Sequence, residues 1–268
     1  MHTLDPRRLF KALDRIDREW RDPGRSGWRR PAAILTVVAV CLLFIHYVKF
    51  DRSLQALLEW LVGESTTRAW LGSAWGPLLI ELWWGVIHGL GYVIVPLLFV
   101  RFWLRERVAD QGFRWAGTTR WLGWCALLAA PIIAGAWVMS ANADFQATYP
   151  FYRFADRSIV DLMAWQFIYL AQFAMLEFFF RGFMLHTLAP TFGAGSIFVM
   201  TVPYTMIHFG KPWPEATGAI AFGIVLGIIA LRSRSIWGGA LVHMSVALAM
   251  DLMALMRTGR LPTEWWPG

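Results

Sequence analysis

Seven stretches of this sequence are apolar for long enough to approach or cross the ~30 Å hydrocarbon layer of a bilayer at 1.5 Å per helical residue. They centre on residues 31–48, 77–101, 120–139, 159–180, 195–209, 216–231 and 236–256. The fifth and sixth are short, so the expected count is about seven with a range of six to eight. Lipid leaves no water for unpaired backbone groups, so such windows have to close their hydrogen bonds within themselves, as helices. The composition agrees: 57% of the 268 residues are hydrophobic and 16% charged, with a mean hydropathy of +0.46. A soluble fold could not bury that much apolar surface. The expectation is an all-α, polytopic transmembrane helix bundle.

The formal charge of +7 follows membrane topology and does not call for nucleic acid. With the N-terminus inside, the inside segments hold 17 Lys and Arg and the outside segments 8, the bias of the positive-inside rule. A multi-pass protein with a cytoplasmic N-terminus is expected, in a bacterial inner membrane, with membrane lipid around it. Trp28, Trp70, Trp103, Trp121, Trp213 and Trp237 lie near helix ends, where interfacial belts form. Cys41 and Cys125 lack a zinc-type spacing and read as small core residues. Residues 1–30 form a polar, basic tail, too long and too charged to be an ordinary cleaved signal. Its Leu9, Phe10, Leu13 and Ile16 share a helical face, which suits either the bilayer surface or a solvated amphipathic helix. Residues 31–260 are read as one transmembrane domain.

Ionisable groups inside a span are costly and mark functional candidates. Glu81 and His88 share a face of the second window beside Gly85 and Gly89; an interfacial Glu with an internally bonded His is the plainer reading. Glu177 and Arg181, in "EFFFRGF", are four residues apart and can neutralise each other as a helix ion pair. His208 follows Tyr204 by one turn in "PYTMIHFGKPWP", and His243 precedes Asp251 by two turns in "GGALVHMSVALAMDL". Pro190 and Gly193 mark a turn. Glu177 and His208 are each about 20 Å from it along their helices, so an antiparallel hairpin stands them level. Glu177, His208 and His243 are therefore expected to line one cavity within about 8 Å of one another, close enough for bridging waters. Leu176 should point to lipid or a neighbouring helix.

These motifs, in this order, resemble the intramembrane endopeptidases of the CAAX-prenyl-protease and bacteriocin-processing (CPBP, Abi) type. That pattern is two adjacent glutamates followed by xxxR, then FxxxH, then HxxxN. The matching residues here are Glu177 with Arg181, His208, and His243, within residues 158–256. Three positions depart from it: Leu176 stands for the first glutamate, Tyr204 for the Phe and Ala247 for the Asn. The resemblance implies an endopeptidase acting on a membrane-associated or lipid-anchored protein or peptide. Its catalytic residues would be Glu177, His208 and His243, supported by Arg181, Tyr204 and Asp251, and it would need no cofactor.

The chemistry expected is hydrolysis by a Glu177-activated water, oriented by His208, with His243 donating to the oxyanion. Asp251 would either fix the tautomer of His208 or reach the interface near Arg257. A zinc reading would use Glu177, His208 and His243 as ligands. A non-catalytic reading keeps the fold to bind a partner's transmembrane segment, with Leu176 and Ala247 in its favour. A proton-coupled transporter fits less well, because no matching half-repeats are visible.

Overall fold

Eleven helices and the turns between them make up the described chain, with no strand among the described residues. The computed structural model describes residues 6–211 and 213–268. The first five residues of the expected tail, and Pro212 of "HFGKPWP", lie outside the described residues. The helices are α1 (Pro6–Trp20), α2 (Arg29–Val48), α3 (Asp51–Val62), α4 (Glu64–Leu71), α5 (Gly76–Trp103) and α6 (Thr119–Met139). They continue as α7 (Ala143–Thr148), α8 (Ile159–Phe192), α9 (Gly195–Met206), α10 (Trp213–Ser233) and α11 (Trp237–Thr258). Six of them, α2, α5, α6, α8, α10 and α11, are long and apolar enough to cross a membrane. The expected span at 195–209 is the exception. Its helix stops at Met206 after 12 residues, about 18 Å, which is short of the hydrocarbon thickness.

The expected window at 159–180 runs on to Phe192, because residues Phe178–Leu185 continue it as a π-helix. Pro190 therefore lies inside the helix, and the turn falls at Gly193. That glycine has a φ of +53°, and a Cβ there would stand 2.1 Å from the Asp17 carboxylate. Only glycine meets both demands.

Two compact units are built from interleaved segments, each taking a stretch of α2, α5, α6, α8 and α11. The first contains the described residues up to Cys41 with Val93–Gly123 and Leu176–Ala240. Within it α9 packs on α10, where Gly223 and Gly227 face Thr201, Ile197 and Met200 at contact distance. Missing side chains at a four-residue spacing let two helix backbones approach.

The expected tail belongs to this unit. Ile16 is fully buried, while Leu9 and Phe10 remain exposed. The Asp17 carboxylate accepts from the Ala194 N–H at 3.1 Å, and Arg21 donates to the Phe192 carbonyl at 3.2 Å. The Asp22 N–H reaches the Pro190 carbonyl at 2.8 Å, and Arg30 reaches that of Thr187. Of the last carbonyls of α8, which no further turn can satisfy, those of Pro190 and Phe192 are thus met from the N-terminal part of the chain. Arg25 and Arg30 both hold Glu106, at 2.7 and 2.9 Å. Burial pushes the Glu106 carboxyl up, and the two guanidinium groups outweigh it, leaving the group below its usual range.

The second unit contains Leu42–Tyr92, Trp124–Met175 and Leu241–Gly268. It fixes the start of α8. The Ser158 hydroxyl caps the helix: it accepts from the Asp161 N–H at 3.0 Å and donates to the Asp161 carboxylate at 2.7 Å. Tyr152 and Arg157 also donate to Asp161. Burial, followed by the bond to Asp161, raises the Tyr152 phenol above its ordinary range. The N–H groups of Ile159 and Val160, orphaned at a helix start, are taken by the carbonyls of Glu264 and Trp265.

Candidate functional site

A buried pair of opposite charges stands at the centre of the first unit. Glu177 and Arg181 are both 0% exposed, and Arg181 donates to the Glu177 carboxylate at 2.7 Å. One charge alone would be too costly to bury, and two with good geometry compensate each other. Around them every residue from Leu176 to Ala189 is buried, Leu176 included at 5%.

The pair is held from three sides. The guanidinium of Arg181 lies 4.0 Å from the centre of the Tyr204 ring, a cation–π contact that makes Tyr204 more than a replaced Phe. Gly239 of α11 lies against the carboxylate: a Cβ there would sit 2.1 Å from Glu177 Oε2. The third constraint is the backbone. The π-helix begins at the residue after Glu177 and carries Arg181. Such segments are frequent at functional sites, and two more lie in α5, at Leu90–Ile94 and Phe99–Trp103. The i, i+5 relation recurs in the side chains, since His186 Nδ1 meets the Arg181 carbonyl at 2.5 Å. Trp20 of α1 meets the His186 ring edge-on at 5.3 Å, so the docked N-terminal helix reaches within two residues' contact of Arg181.

His208 belongs to the same unit. It sits in the turn beyond α9, not on a helix, with its ring 4.8 Å from that of Tyr204. Its Nδ1 is 2.8 Å from the Tyr204 carbonyl, which leaves Nε2 as the nitrogen directed away from its own backbone. Glu177, Arg181, Tyr204 and His208 thus form one chain of contacts.

His243 and Asp251 belong to the second unit. His243 is half-buried and stacked on Phe173, with ring centres 5.7 Å apart and planes 9° from parallel. Asp251 is fully buried. Its carboxylate accepts from Trp165 Nε1 at 2.7 Å and Gln166 Nε2 at 2.9 Å. Arg257, one of the two partners expected for it, lies instead 3.3 Å from Ser140 and over the Trp137 ring. Ala247 is buried in an apolar cluster with Trp165 and Tyr169. His88 follows the plainer reading: it is buried, its Nδ1 meets the Trp84 carbonyl at 2.7 Å, and its ring lies between Trp84 and Tyr92.

Three participants escape motif reasoning. Gly239 is visible only as half of "WGG", Phe173 only as one step of a four-residue spacing that includes Trp165, Tyr169 and Glu177, and the π-helix leaves no mark in the residues. Among the described residues, no three of His, Cys, Asp and Glu are grouped as a metal site requires.

Residues 158–249 match the family model of the type II CAAX prenyl endopeptidase Rce1-like proteins. The match starts at the capping Ser158, takes in Glu177, Arg181, Tyr204, His208 and His243, and ends before Asp251. No curated protein and no solved structure matches the chain.

Proposed function

We propose that this integral membrane protein, whose residues 158–249 are a Rce1-like segment of the CPBP membrane proteases, cuts a peptide bond next to the membrane with Glu177 as its base. Its substrate is a membrane-associated or lipid-anchored protein or peptide. One observation carries the reading: a carboxylate with no solvent exposure, bonded to Arg181 and pressed against a glycine. A mere ion pair has no need of a Cβ-free neighbour at its second oxygen.

In this reading Glu177 takes a proton from water as the oxygen attacks the scissile carbonyl. His208, held at Nδ1 by its own backbone, presents Nε2 to orient the water or the leaving nitrogen. His243 donates to the oxyanion. Glu177 then returns the proton to the departing amine, and a carboxylic acid and an amine leave. Arg181 holds the carboxylate in place through its hydrogen bond. The N-terminus is cytoplasmic, as the Lys and Arg bias supports.

The test compares membrane proteomes of the host carrying the wild-type chain and Glu177→Gln at equal abundance. A chain terminus present only with wild type supports the protease reading. Identical termini would assign the fold to holding a partner's transmembrane segment, the reading that Leu176 and Ala247 favour. Elemental analysis of the purified protein decides the metal question: one zinc per chain, lost in His208→Ala, would replace the carboxylate mechanism with a metal-bound water.

A further inference from the structure

Within the second unit, α8 and α11 meet in step. Asp251 accepts from Trp165. Eight residues earlier on α11, His243 stacks on Phe173, which is eight residues later on α8. Midway between them, Ala247 and Tyr169 share one buried cluster. Every four residues forward on α8 match four back on α11, an antiparallel register with one side-chain pair per turn. On α8 the partners also touch one another. Trp165 stacks on Tyr169 at 4.7 Å and 17°, and Tyr169 meets Phe173 edge-on at 4.9 Å.

From this register we infer that Phe173 is a positioning residue for His243, with its own place set by the Tyr169–Trp165–Asp251 chain. The inference rests on the protease reading and deepens it. The terminal torsion of a histidine is broad and roughly two-fold, so the side chain alone does not choose its ring plane. A flat neighbour nearly parallel to it does, and directs both ring nitrogens edgewise. The same register accounts for Ala247. A side chain longer than Ala, such as the Asn of the resembling pattern, would enter a space where Leu78, Tyr152, Trp165 and Tyr169 are already packed. Orientation that a polar neighbour one turn along could supply is here supplied by a ring face. Asp251 gains a role different from either one expected: it fixes how far along α8 the helix α11 sits, through two N–H donors on consecutive residues.

The experiment measures acylation of His243 by diethyl pyrocarbonate in the purified full chain, mapped by mass spectrometry, with His88 and His186 as internal references. Phe173→Leu keeps the volume and removes the flat face; Phe173→Tyr keeps both. The expected result is a several-fold faster reaction at His243 in Phe173→Leu, wild-type behaviour in Phe173→Tyr, and unchanged rates at His88 and His186. Asp251→Leu should also accelerate it, and Asp251→Asn, whose amide oxygen still accepts the Trp165 N–H, should not. Where wild type yields a processed terminus, Phe173→Leu should lower kcat about 10-fold with KM held, and Phe173→Tyr should restore it. An unchanged His243 rate in Phe173→Leu overturns the inference. A faster His243 in a chain whose wild type processes nothing leaves the inference standing and removes the protease reading.

Discussion

Glu177 of the first unit and Asp251 of the second are both fully buried carboxylates, stabilised by different means. In the first, Glu177 faces the guanidinium of Arg181, itself set over the Tyr204 ring. In the second, Asp251 is met by the indole and amide N–H groups of Trp165 and Gln166. A full opposite charge makes the first arrangement intolerant of losing one partner, because the charge left behind stays buried. Neutral donors make the second tolerant of losing the charge altogether, provided an acceptor remains. The contrast suits a division of labour: the first unit holds a buried ion pair in place, and the second keeps two helices in register.

The largest expected effect tests the first half of that contrast. Arg181→Met should destabilise the protein by about 3–5 kcal/mol in thermal unfolding in detergent. The double variant Glu177→Gln/Arg181→Met should cost clearly less than the single one. Additive losses would show that the two charges are not compensating each other. Next comes Gly239→Ala. Its Cβ would be 2.1 Å from the Glu177 carboxylate, so either helix or carboxylate must shift, at about 1–3 kcal/mol. Processing should fall further than that loss of stability explains. Wild-type processing in Gly239→Ala would mean that the carboxylate position is unimportant.

Two smaller effects sharpen the second half. Ala247→Asn should cost about 1–3 kcal/mol, the penalty for an amide among apolar groups, and should bring no gain in processing; a gain would show the position open to a polar side chain. Asp251→Asn should change unfolding by less than about 1 kcal/mol, since one neutral hydrogen bond is worth that order. The smallest effect is a pH dependence outside the spans. Glu106 has a folded pKa below its ordinary value because Arg25 and Arg30 outweigh its burial. Its contribution is therefore complete above the unfolded pKa and lost as pH falls through the folded one. The difference in melting temperature between wild type and Glu106→Gln should shrink between pH 7 and about pH 3. A constant difference would mean that Glu106 acts through packing alone.

The helices were legible because lipid permits so few alternatives: apolar windows at 31–48, 77–101, 120–139 and 236–256 correspond to α2, α5, α6 and α11 within a few residues. The pairing of Glu177 with Arg181 was legible for the same reason, a charge in a span requiring a partner within reach. The extent of α8 was not. The shift from i, i+4 to i, i+5 bonding at Phe178 occurs where Gly182 lies against the Gln111 carbonyl, and no residue type encodes it. The place of Phe173 and Ala247 was equally hidden, since it depends on which residues of α8 and α11 stand opposite one another, a tertiary fact. The contacts of the N-terminal segment with the end of α8 were not legible either. Asp17 and Arg21 stay exposed as charged side chains do, yet with Arg30 they also reach the end of α8, a tertiary contact.

That last contact has a consequence in time. Asp17 and Ala194 are 177 residues apart in sequence, so during synthesis the segment that emerges first must wait for nearly two-thirds of the chain before it meets the helix end it caps. Until then the carbonyls of Thr187, Pro190 and Phe192 rely on other partners, and afterwards the earliest and the late-made parts of the first unit are joined. Closing that loop ties the part of the first unit made earliest to a helix end made after most of the chain.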